Sequence, residues 1–161
     1  MKFITLVILI LPFKMFAQSV NDHHLGQPQD SIVYYQNLTI AFTTNRPNPI
    51  YTVEFVSAEV NKVGGITLTY KHNVPSEDTT YVSFHQYVFN TKDELIKDIM
   101  IFPASHEYRE VERLKKELGY YKINDKLLYH KTANLKVSVE TTTINGKDWA
   151  LLTYMRKENS Y

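Results

Sequence analysis

The sequence predicts an α+β domain: an antiparallel β-sheet of about seven strands, with one helical segment (one kinked helix or two short ones) inserted after the fourth strand and packed on one face. Three observations predict it. Period-two alternation of apolar residues recurs along most of the chain, and a helical period replaces it between Thr91 and Leu118. Asn145-Gly146 stands between two alternating runs, which is the strongest short-range hairpin signal.

Residues 1–17 read as a secretory signal peptide. Lys2 precedes an apolar run from Phe3 to Phe13, and Ala17 supplies the small residue at which a signal peptidase cuts. Pro12 and Lys14 interrupt the stretch, which falls short of the about 20 apolar residues of a spanning helix. An uncleaved anchor is the alternative. No cysteine is present to carry a lipid, so the expected mature chain has no stable membrane anchor and is periplasmic or secreted. A flexible polar leader over 18–30 and a single domain over 31–161 complete the organisation.

The first strand is read at Leu38, Ile40 and Phe42, alternating with Thr39 and Ala41, before a loop carrying Pro47 and Pro49. The second runs from Tyr51 to Val60. Tyr51, Val53 and Phe55 share one phase and Val56, Ala58 and Val60 the other, so a bulge near Phe55-Val56 is needed to keep one inward face. Gly64-Gly65 turns the chain into a third strand, Ile66 to Lys71, and a fourth covers Tyr81 to Phe89. Both parities of the fourth are apolar, which predicts a central strand covered on both faces.

Thr91 and Glu94 then form a T-x-x-E capping box, and Leu95, Ile99 and Phe102 recur at helical spacing. Pro103 kinks this helix or opens a second one. The second stripe is Val111, Leu114, Leu118 and Tyr121, with Gly119 as the C-terminal cap. Strands resume at Lys126 to Lys131 and from Leu135 onward. A two-residue type I′ turn sets the last register, with Val139 opposite Leu152, Val137 opposite Tyr154 and Thr141 opposite Ala150 on an apolar face. Trp149 falls on the other face, opposite Thr142, and Glu140 lies opposite Leu151. A lipocalin-like closed barrel is the alternative architecture, and the helical block inside the strand series argues against it.

The formal net charge is +1, and it becomes −1 once Lys2 and Lys14 leave with the leader. Such a balance argues against nucleic acid, which calls for a basic field. The lack of cysteine excludes disulfides, thiolate zinc sites and thiol nucleophiles. There is no G-x-S-x-G elbow and no glycine-rich loop to cradle phosphate. No catalytic residue, metal ligand set or cofactor is assigned.

Histidine is the usual base and ligand, so each one is weighed. His23-His24 lie in the polar leader, and His106 stands beside Glu107 at the start of the second helical stretch. His72, His85 and His130 fall on three strands and share the parities of Tyr70, Tyr87 and Leu128. Two of them meeting a carboxylate in a cleft would make a small envelope enzyme, hydrolase-like, with a strand histidine as general base. The other reading is a noncatalytic binding or structural domain of the bacterial cell envelope. The 12 tyrosines suit protein or glycan surfaces as well as ordinary strands. Trp149 and Tyr35 are the candidate exposed contacts, and a protein or glycan is the expected partner.

Overall fold

The computed structural model describes residues 24–44, 51–75 and 80–157; the signal-peptide assignment over 1–17 lies outside them. Helix α1 (Gln29–Thr44) is followed by strands β1 (Thr52–Val60), β2 (Ile66–Pro75), β3 (Thr80–Phe89) and β4 (Leu95–Pro103). A 3-10 turn (Ala104–His106) leads to helix α2 (Glu107–Lys116), then β5 (Tyr120–Asn124), β6 (Leu127–His130), β7 (Leu135–Ile144) and β8 (Lys147–Arg156). The fold is α+β, one antiparallel sheet of eight strands in the order β1-β2-β3-β4-β8-β7-β6-β5, with α2 after the fourth strand. Its end strands β1 and β5 do not pair, so the sheet is open and not a barrel. Each half of the chain follows one plan, a helix and then four strands, although the sequence carries no repeat. The halves join where β4 lies against β8.

Local chemistry explains the elements that the sequence predicts. The β1–β2 register shifts between Phe55 and Ser57, where the alternation changes phase. The β7–β8 register pairs Val139 with Leu152, Val137 with Tyr154 and Thr142 with Trp149. At the turn between them Asn145 (φ 51°) and Gly146 (φ 72°) are both left-handed, as type I′ requires. Helix α2 buries Leu114 and places Glu107 and Glu110 in its first turn and Arg113, Lys115 and Lys116 in its last, matching its dipole.

Other expectations are corrected. Residues 38–42 are not a strand but part of α1, whose Ile32 is buried while Tyr34, Leu38 and Phe42, a turn apart, stand exposed. The N-terminus of α1 is tied from afar, since the Gln29 N–H donates to Asp93 Oδ1 at 3.2 Å. Residues 91–102 are not a helix. Asn90 Oδ1 accepts from the Lys92 and Glu94 N–H groups, and Asp93 sits at φ 62°, so the T-x-x-E stretch is a turn. From Leu95 onward the chain is β4, between β3 and β8. Its two apolar faces make Leu95, Ile99 and Phe102 fit helical and strand spacing alike. Tyr121, read as part of the helical stripe, belongs to β5. Within the stretch read as a leader, the Gly26 N–H donates to the Leu95 carbonyl at 2.8 Å and the Leu95 N–H to the Gln27 carbonyl at 2.9 Å.

Both helices lie on the same side of the sheet. Gln36 of α1 donates to the Tyr87 hydroxyl at 2.8 Å. His106, just before α2, stacks on Tyr81 at 4.3 Å, and the Thr141 hydroxyl donates to Glu107. Tyr81, Tyr87 and Thr141 share the sheet face of the buried Phe89, Val137, Val139, Ala150, Leu152 and Tyr154. Strand β3 is expected to be covered on both faces; among the described residues both helices lie on one of them, and its residues on the other face, Val82, Phe84, Gln86 and Val88, are half-buried. No helix among those residues is long and apolar enough to cross a membrane.

Candidate functional site: a stacked histidine pair and a sheet face without helices

Strand register gathers a polar group on the buried side of the first half. Tyr70 lies across from His85, His72 across from Ser83, Tyr87 across from Asp98, and Asp98 across from Tyr154. The His72 and His85 rings stack with centroids 4.2 Å apart and planes 22° apart. His85 Nδ1 is 4.0 Å from Asp98 Oδ1, within ion-pair reach but beyond a hydrogen bond. The Tyr51 hydroxyl hydrogen-bonds His72 Nδ1.

Burial governs the electrostatics. His72 is 4 % and Asp98 5 % exposed. Desolvation, helped by the neighbouring charge of His85, pushes His72 down to about 3, so its ring is neutral at pH 7. Burial raises Tyr51 above the usual phenol range. The phenol therefore keeps its proton and donates it to Nδ1, which leaves the ring proton of His72 on Nε2. That nitrogen and Ser83 Oγ are buried without a hydrogen-bond partner among the described residues. Burial, and after it the charge of Asp98, raises Tyr87 well above the phenol range.

Two of the three strand histidines thus stack on each other, and one of them, His85, comes within 4.0 Å of a carboxylate. One depression of about 390 Å³ is lined by residues including Leu25, Lys97 and Arg156, and another of about 600 Å³ by residues including Lys126, Glu107 and Glu140. Neither reaches the pair. His130 does not join it: β6 lies five strands along the sheet from β2, and His130 Nδ1 accepts from the Thr132 and Ala133 N–H groups at 3.1 and 2.8 Å. His24 packs against Tyr35 at 5.2 Å between centroids, and His23 lies outside the described residues. No group of three or more His, Asp or Glu side chains suited to a metal occurs among the described residues.

Of the aromatic candidates, Tyr35 is half-buried on α1 between His24 and Tyr34. Trp149 is half-buried on the face away from both helices, its ring centroid 6.0 Å from that of Phe84. Sequence reading misses Asp98, because it places that residue in a helix; only with β4 as a strand does Asp98 fall opposite Tyr87.

The face away from both helices has its own pattern. Consecutive registers align Glu54, Lys71, Phe84, Ile101, Leu151 and Glu140 as one row across six strands. In the next row Pro103 lies across from Trp149, and Trp149 across from Thr142. Val82, Ile99 and Met155 extend the apolar block, and all of these apolar side chains are half-buried.

No family model, no curated protein and no solved structure matches this chain. Its class is thus defined by the fold alone, an α+β domain with one antiparallel sheet.

Proposed function

We propose that the mature chain is an exported, noncatalytic binding or structural domain of the bacterial cell envelope, meeting a protein or glycan through the sheet face around Trp149. One contrast carries this reading: His72 and Asp98, of the group with acid–base chemistry, are buried, while a half-buried apolar, aromatic block lies on the face away from both helices. A base held near 3 takes up a proton poorly at neutral pH. A contiguous apolar patch is the usual mark of an interaction surface. The test places a photo-reactive residue at position 149 in cells, with Lys62 in the β1–β2 turn as control. Discrete adducts from the envelope fraction at position 149 alone are expected, and their absence overturns the reading. Export is checked by intact mass, which should correspond to a chain beginning near Gln18; a full-length cytosolic species would refute it.

A second reading rests on the meeting of His72, His85 and Asp98. In a hydrolase-like enzyme with a strand histidine as base, reagents would have to reach the pair. Carbethoxylation followed by mass spectrometry separates the two: the noncatalytic reading expects His106 and His130 to react and His72 to resist.

A further inference from the structure

We propose that the partner of the sheet face around Trp149 is a second copy of the same chain, packed face to face across a two-fold axis running along β4. This rests on reading that face as a binding surface and names its occupant. The argument is the charge pattern of the six-strand row. Within that row Ile101 lies midway between Lys71 on β2 and Glu140 on β7, with Phe84 and Leu151 between, and Glu54 on β1 lies beyond Lys71 as its ion-pair partner at 3.3 Å. A two-fold rotation about β4 exchanges the left and right ends of every row while keeping rows aligned. Lys71 of each copy then sits over Glu140 of the other, Phe84 over Leu151, and Ile101 over itself. The same operation sets Ile99 over itself, and it brings Gln86 over Thr153 and Thr69 over Ser138.

Apolar thus meets apolar and polar meets polar in two consecutive rows, and Lys71 meets Glu140 of opposite charge. An isologous interface needs this kind of self-complementarity, and a face shaped for an unrelated partner has no reason to show it. One position opposes the pairing: Lys97, exposed on β4, meets its own copy at one end of the axis. Aligned sheets cross at about −30°, which lifts such end rows apart and leaves the long lysine side chains in solvent.

Sedimentation velocity on the purified mature domain across the micromolar range is the test, with circular dichroism as a check on folding. Wild type should move from one to two chain masses with concentration. Lys71→Glu and Glu140→Lys should each weaken association about tenfold or more, since every reversal creates two like-charge contacts. The double reversal K71E/E140K should restore it to within about threefold. Lys62→Gln, a charge change in the exposed β1–β2 turn outside the row, should leave association near wild type. A monomer at every concentration, or a double reversal no better than the single ones, overturns the proposal. If the domain is monomeric yet position 149 crosslinks to another envelope component, the binding-face reading stands and self-pairing falls.

Discussion

The two halves of the molecule share one plan of a helix and four strands, yet they close their interiors with different chemistry. Behind α2 the buried side chains of β6, β7 and β8 are largely aliphatic: Leu128, Leu135, Val137, Val139, Ala150 and Leu152. Beneath α1 the corresponding surface holds Tyr70, Tyr87, His72, Ser83 and Asp98. An aliphatic interior is stabilised by area and fit, tolerates no void and ignores pH. A polar, aromatic one is stabilised by stacking and by each hydrogen bond being made, so it is specific in geometry and sensitive to protons.

The largest test of this contrast is Leu152→Ala, at a fully buried centre of the aliphatic half. It should lower stability by about 2 to 5 kcal/mol in urea titration; a change under about half a kcal/mol would show that this half is not tightly packed. The pH response comes next and belongs to the other half. The unfolded chain binds a proton at His72 from about 6.5 downward, whereas the folded chain resists it until about 3. Stability is therefore full above that upper value and declines as pH falls through the window, by about 1.4 kcal/mol per unit for one proton. Thermal melts of wild type and His72→Phe between pH 7.5 and 5 should diverge, the variant being flatter; parallel curves would remove His72 as the cause.

A smaller effect is expected from Gln36→Leu, which strips the Tyr87 hydroxyl of its 2.8 Å donor and should destabilise by about 1 kcal/mol. The smallest is Ser83→Ala. Its hydroxyl is buried without a hydrogen-bond partner among the described residues, so the change should be neutral or slightly stabilising, within about 0.5 kcal/mol. A clear loss at Ser83 would mean that its hydroxyl takes part in the network.

What the sequence discloses and what it hides divides by the range of the interactions. The β7–β8 register follows from two residues, Asn145 and Gly146, whose backbone preferences fix the turn and so every pair after it. The bulge in β1 and the stripe of α2 are equally local. The errors fall where distant contacts decide. Leu38, Ile40 and Phe42 alternate like a strand, yet α1 forms because Ile32 packs into the core and Asp93, far along the chain, caps its first turn. β4 carries apolar residues on both faces, so its sequence satisfies two periods, and pairing with β3 and β8 selects one of them. The site was half legible: parity placed His72 and His85 on the inward side, but their stacking and the arrival of Asp98 depend on β4 being a strand.

The junction of β4 with β8 also dictates an order of events in building the molecule. Asp98 must find Tyr154, and Pro103 must find Trp149, at the far end of the chain. Closing so long a loop comes late and slows the search. Until then the first half, complete through Pro103, carries β4 as a bare edge rich in isoleucine, a template for any passing strand. A nascent chain released after Lys116 would carry that edge permanently, so its fate is to aggregate, and the hazard ends only when β8 emerges and docks.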